Sequence, residues 1–167
     1  MSTKPGQFVP PRFLEREYPD MHSTKGVLAI DPGGTTGVAL LQWEGDGEQT
    51  FGSSQTDFAD TMRVAEAARR TTDLQAIVVE TYTITMETLR KSRQTTALEL
   101  IGALRWFAIQ HGIPFVLQSP AEAKGFGTDA KLEKIGWLKP KAQDHANDAA
   151  RHLLVYCVKN KIVEVPR

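Results

Sequence analysis

The sequence predicts an α/β domain, with a mixed five-stranded sheet flanked by helices. Three observations carry this. Three short strand-like segments come first, joined by tight turns. Further apolar strands then alternate with stretches of helical periodicity. The last element is a long amphipathic helix that begins Asp144-His145-Ala146-Asn147-Asp148.

Residues Met1 to Lys25 are polar and carry Pro5, Pro10, Pro11 and Pro19, so residues 1–25 read as an extended or flexible arm and residues 26–167 as the domain. Val27 to Ile30 is a short apolar run expected to be a buried strand, and Pro32 to Gly37 a tight turn. Val38–Trp43 and Gln49–Ser53 complete a three-stranded antiparallel meander. Asp57–Arg70 has Phe58, Met62, Ala65 and Ala68 at helical spacing. Ala76–Glu80 is a strongly apolar strand ending in a carboxylate. Gln94–His111 is a long helix, with Leu98, Ile101, Leu104 and Ala108 on one stripe and Gly112 as its stop. Ile113–Leu117 is the fifth strand. Ser119-Pro120-Ala121-Glu122 has the form of a capping box with Pro at the first helical position. Thr128–Ile135 is a further short helix candidate, closed by Gly136, and Asp144–Lys159 is the last helix, with Asp144 as its expected N-cap. The main elements thus run β-β-β-α-β-α-β-α-α.

The chain has 167 residues and 41% apolar content, which suits one globular domain. No apolar run approaches a membrane span of roughly 20 residues, and the N-terminus lacks the apolar stretch of a secretory signal. The single Cys157 excludes an intramolecular disulfide and a cysteine-based metal cluster. A reducing cytoplasm is the expected location, that of a bacterium or of the host of a phage. Net charge is zero, but its distribution is uneven. Met1–Thr85 holds 7 basic and 12 acidic residues, whereas Met86–Lys141 holds 9 basic and 5 acidic. A basic middle beside acidic positions suits an enzyme that grips phosphates and binds metal ions; it equally describes a solvated helical face.

Asp31 and Glu80 carry the chemistry of this reading. Each follows directly on a buried apolar strand, where a lone carboxylate is costly. Two such endings on strands that can lie side by side suggest a site for a hard divalent cation. Each alone also reads as an ordinary turn or strand-end residue. Gly33, Gly34 and Gly37 would let phosphate or metal come close to the backbone. On the last helix, His145 and Asp148 share a face, and His152 lies four residues further along it. Ala149 and Ala150 are small enough for close packing on a sheet.

Ile30-Asp31-Pro32-Gly33, a strand ending in Glu80, and His145-Ala146-Asn147-Asp148-Ala149-Ala150 together resemble the RuvC family of Holliday junction resolvases, in its small phage-type branch. The resemblance covers roughly Val27 to Val158. It implies an RNase H-like fold, with three antiparallel and two parallel strands, and a homodimer that makes paired nicks in branched DNA. It also implies two Mg²⁺ or Mn²⁺ ions per active site, about 3.5–4 Å apart. Asp31 would bridge the ions, Glu80 would bind one, and Asp148 with His145 the other. Lys124 and Lys131 match basic residues near the scissile phosphate, and both would offset its developing charge. Arg90, Lys91, Arg93 and Tyr82 are further candidates for DNA contact. Where the family often has an aromatic probe, three residues past the strand-end Glu, this chain has Thr83, and Tyr82 is the nearest aromatic.

Three other readings remain open at this stage. One is a nuclease of the same fold acting on flap, linear or RNA-containing substrates. Another is a junction-binding protein without catalysis, which would not need the acids. The third is an actin-like or sugar-kinase-like nucleotide-binding domain, whose phosphate loop Asp31–Gly37 also resembles, although that architecture needs two such domains. For the dimer contact the candidate is the Gln94–His111 helix, with Trp106-Phe107 near its end; its apolar stripe also reads as a simple cover for the sheet.

Overall fold

A computed structural model describes residues 23–45, 47–82 and 95–165. Five strands form one sheet: β1 (Thr24–Asp31), β2 (Thr36–Glu44), β3 (Gln49–Thr56), β4 (Asp73–Glu80) and β5 (Phe115–Gln118). Their spatial order is β3-β2-β1-β4-β5. The first three pair antiparallel, and β1, β4 and β5 run parallel. Helices α1 (Phe58–Thr71) and α2 (Thr96–Gln110) pack on one face of the sheet. After β5 come α3 (Pro120–Phe126) and α4 (Asp129–Lys134), a 3₁₀ turn (Lys141–Gln143), and α5 (Asp144–Lys159), which covers the other face. Both short helices precede the long one, so the described residues hold one helix more than the order read from sequence.

Strand alternation sorts the core into two halves. Val27, Ala29, Ala39, Leu41, Ala76 and Val78 point toward α5, where they meet Ala149, Ala150, Leu153 and Leu154. Leu28, Ile30, Val38, Ile77 and Val79 point the other way, against Leu100, Leu104 and Ala108 of α2 and Ala65 and Ala68 of α1. Small residues concentrate on the α5 side and let that helix sit close to the strands.

Local signals set most of the boundaries. Asp57 caps α1 through its side chain, Ser119 caps α3 ahead of Pro120, and Thr128 caps α4. Gly112 and Gly136 adopt positive φ of 64° and 75° just past the helical segments they close. β1 begins at Thr24, two residues before the expected domain start; residues 1–22 of the expected arm lie outside the described residues.

Three expectations need correction. Asp144 is the first helical residue of α5, not its cap; the preceding Gln143 holds the cap position without a side-chain bond. The Gln55 amide on β3 serves instead, accepting from the His145 N–H at 3.2 Å and donating to the Ala142 carbonyl at 3.3 Å. The buried stripe of α2 runs Ala97, Leu100, Leu104, Ala108, while Leu98 is 40% exposed. On α1, Thr61 rather than Phe58 turns inward, with its hydroxyl held by Thr56 at 2.8 Å and by the Asp57 carbonyl at 2.7 Å.

Candidate active site

Period-two alternation brings Asp31 and Glu80 to the same face. Asp31 follows Val27 and Ala29 on β1, and Glu80 follows Ala76 and Val78 on β4; both pairs face α5. The parallel register aligns Ile30 with Val79, so Asp31 and Glu80 end neighbouring strands side by side. On the outer side Glu80 aligns with Gln118 of β5, and on the inner side Asp31 pairs with Gly37 of β2. A polar row thus caps an otherwise apolar sheet face.

Helix α5 supplies the remaining groups from above. Its start lies against β2 so closely that a Cβ on Gly37 would stand 1.8 Å from the His145 carbonyl oxygen. Gly37 is therefore needed for the helix approach rather than for phosphate or metal access, which corrects the expectation. Gly33 belongs to the turn: its N–H points to the Thr36 hydroxyl at 3.4 Å, and that hydroxyl bonds back to the Gly33 carbonyl at 3.2 Å. The Gly33 N–H is thus turned into the loop itself rather than offered to a phosphate.

Each acid has a protein partner. The His145 Nδ1–H donates to Asp31 Oδ2 at 2.9 Å, which leaves Nε2 as the nitrogen turned away from Asp31. Glu80 Oε2 accepts from His152 Nε2 at 2.7 Å, and the opposite nitrogen of that ring meets Gln118 Oε1 at 2.9 Å. Asp148 is held by Arg151 at 2.5 Å and faces the Lys124 ammonium at 3.5 Å. Arg151 reaches on to Asp129. Beside Asp148 opens a cavity of about 470 Å³ lined by Lys124, Thr128, Asp129, Asp144, Asp148 and Arg151.

Asp31 is the electrostatic centre. It is only 8% exposed. Burial raises its carboxyl above the ordinary 3.8; the hydrogen bond from His145 opposes this, and the charges of Glu80 and Asp148 add to the rise. Glu80 and Asp148 thus both lie near enough to Asp31 to oppose its ionisation. Three carboxylates beside an imidazole make a hard, oxygen-rich donor set suited to Mg²⁺ or Mn²⁺, and a cation would relieve the charge crowded on Asp31. Among the described residues, however, no three of these side chains already stand as a cluster that could hold a metal. The acids are instead engaged in separate pairs with His145, His152, Arg151 and Lys124. The donor chemistry fits a divalent cation, and binding one requires those pairs to rearrange.

The remaining candidates are placed as follows. Lys124 stands at Asp148. Lys131 turns to α3 instead, donating to the Phe126 carbonyl at 2.9 Å with its ammonium 3.7 Å from that ring's centre. Tyr82 is half-buried two residues past β4. Arg90, Lys91, Arg93 and Thr83 lie outside the described residues. Arg151, Gln118 and the contact of His152 were missed from sequence. Arg151 follows Asp148 by three on one helix and was open to detection by that spacing; Gln118 pairs only through the sheet.

No protein-family model and no curated protein matches this sequence. Solved structures do match. T. thermophilus RuvC in complex with a Holliday junction substrate is 16% identical, with a TM-score of 0.55 over 85% of this chain and 99% of that one. The fowlpox virus Holliday junction resolvase is 11% identical, with a TM-score of 0.55 over 80% of this chain and 99% of that one. Across such low identity the likeness is one of architecture, and it agrees with the strand order and helix placement described above. The chain therefore has the RNase H-like fold in its RuvC-like form.

Proposed function

We propose that this protein is a divalent-metal-dependent endonuclease that resolves four-way and other branched DNA. The observation that carries the reading is the convergence of charge on buried Asp31, which feels both Glu80 and Asp148, at the strand ends of a RuvC-like fold. A structural role alone does not account for a buried carboxylate crowded by two others at one edge of a core.

Asp31, Glu80 and Asp148, with His145 through Nε2, would hold Mg²⁺ or Mn²⁺. The bound metal would lower the pKa of a water and offset charge on the phosphate. The chain's own groups do the rest. Asp31 fixes the His145 ring through Nδ1 and so presents Nε2 in its lone-pair form, able to ligate or to accept a proton. Lys124, whose ammonium faces Asp148 at 3.5 Å, would offset charge gained on a phosphate oxygen. Lys131 joins it once its ammonium leaves Phe126. Arg90, Lys91 and Arg93 add to a basic segment that would grip the backbone, and Tyr82 would contact the DNA near the strand end.

A homodimer matches the approximate two-fold symmetry of a junction and supplies two sites for opposed nicks. Leu98, Trp106 and Ile109 of α2 are exposed at 40%, 63% and 63% and form the candidate contact. The test offers the full chain four-way, flap, linear and RNA–DNA substrates of matched sequence with Mg²⁺ or Mn²⁺. Symmetric paired nicks on the four-way substrate, abolished by a chelator, are expected. Preference for linear DNA or RNA–DNA, or cleavage that survives chelation, overturns the reading.

A further inference from the structure

His152 has no part in the chemistry above, yet its environment is unusual. It is fully buried on the third turn of α5, beside Leu153 and Leu154. An apolar side chain would fill this space without desolvating two ring nitrogens. Both nitrogens are satisfied, and by residues of the polar row: Nε2 meets Glu80 Oε2 at 2.7 Å and Nδ1 meets Gln118 at 2.9 Å. Gln118 is itself 5% exposed and aligned with Glu80 by the β4–β5 register. Two strands and one helix therefore converge on a single carboxylate.

We propose that His152 and Gln118 are positioning residues for Glu80. An ionised carboxylate can only accept, so the nitrogen facing Glu80 donates, as Nε2–H. Gln118 meets the opposite nitrogen with whichever end of its amide the ring requires, and so holds the ring in plane. The pair engages one Glu80 oxygen from the buried side and leaves the other for the site. Because Glu80 is only 18% exposed and β4 is paired on both sides, a carboxylate held this way is aimed before any cation arrives. This rests on the metal-dependent reading of the site, but assigns residues outside the acid set.

The test is Mn²⁺ binding to the full chain without DNA, read by calorimetry and by the electron paramagnetic resonance of free Mn²⁺. His152→Leu removes the donor, and its affinity is expected to fall about 10- to 100-fold, the usual effect of losing a ligand's outer partner. His152→Gln, which can present an N–H near the Nε2 position, is expected to restore most of that loss. A folded His152→Leu protein with wild-type affinity overturns the proposal, as does a His152→Gln protein as weak as His152→Leu. If His152→Leu does not fold, Gln118→Met serves: weaker binding supports the role, and unchanged affinity overturns it. Wild-type protein that fails to bind Mn²⁺ overturns both this role and the proposed function. Binding that is lost in Asp31→Asn but unaltered in His152→Leu removes the positioning role alone.

Discussion

The two faces of the sheet are built from the same strands and do opposite work. The face under α1 and α2 is closed by large aliphatic residues, Leu28, Ile30, Ile77, Val79, Leu100 and Leu104, with no acid among them. The face under α5 is lined by smaller residues and ends in Asp31, Glu80 and Gln118, met by His145, Asp148 and His152. On the first face burial only stabilises. On the second, burial also raises the cost of charge on Asp31, which a bound cation would relieve. The small residues and the reactive groups belong together: without Ala29, Ala39, Ala76, Ala149 and Ala150 the helix could not bring Asp148 near the strand ends.

Substitution on each face should separate these roles. Asp31→Asn, Glu80→Gln and Asp148→Asn should each lower cleavage by about three orders of magnitude or more, the scale of several kcal/mol that bound metal supplies. Junction binding should persist in gel shifts, since affinity rests on basic residues meeting phosphates. Leu100→Ala on the opposite face should cost about 2–5 kcal/mol of stability in denaturant melts. Its cleavage per folded molecule should stay close to wild type. A folded Leu100→Ala protein without activity would show that the faces are not separable.

Two glycines sharpen the contrast further. Gly37 meets the His145 backbone, whereas a Cβ on Gly52 of β3 would have nothing within 4 Å. Gly37→Ala must push α5 away from β2, at a cost of about 1–3 kcal/mol or more, and should lose cleavage because His145 moves with the helix. Gly52→Ala should leave both properties near wild type. Equal effects at the two positions in melting and nicking assays would contradict the close-approach argument.

Much of this arrangement was legible before any coordinates, and the pattern of what was not is instructive. Strand-end acids, the bounds of α5, the Ser119 cap and the Gly112 and Gly136 stops are local signals, each written within a few residues. The partners of those elements are not local. Gln55 stands in for the α5 cap from 90 residues away. Asn147 clamps the Lys139 backbone, accepting from its N–H at 2.8 Å and donating to its carbonyl at 3.0 Å, a contact eight residues back that no local pattern announces. Gly37 looked like a phosphate-loop glycine because nothing near it in sequence announces α5. The first half of the α2 stripe slipped by one residue, to Ala97 and Leu100, while Leu104 and Ala108 are buried as read; that helix is apolar on more than one side, with Trp106 and Ile109 outside the buried stripe.

That second apolar side supports a smaller effect. Trp106→Glu should change melting by no more than about 0.5 kcal/mol, as for most exposed positions, since the indole is 63% exposed. If α2 is the contact between copies, sedimentation should shift from dimer to monomer. Paired nicks should become single nicks while flexible substrates are still cut. A wild type that sediments as a monomer both free and on a junction would remove the paired mechanism and favour a single-cut nuclease.

The smallest effect compares carboxylates across the two faces. Glu66 on α1 is held mainly by two hydrogen bonds from Arg69, with Arg70 adding a third, and its carboxyl drops to about 2 from 4.5. A depressed acid stabilises the fold above its unfolded value and loses that contribution as pH falls from about 4.5 through about 2. Glu66→Gln should therefore lower the melting temperature near neutral pH and converge with wild type in strong acid. The side chain is one-third exposed, so solvent screening keeps the effect near 0.5–1 kcal/mol, or roughly 1–4 °C. Asp31 carries the opposite sign. Its carboxyl is raised, so its contribution is most favourable below 3.8 and is lost as pH rises through the folded value. In chelator at neutral pH, Asp31→Asn should melt no lower than wild type, because Asn keeps an acceptor for His145 without the charge. If Asp31→Asn instead melts lower and Glu66→Gln melts higher, the charges on the two faces have been assigned the wrong way round.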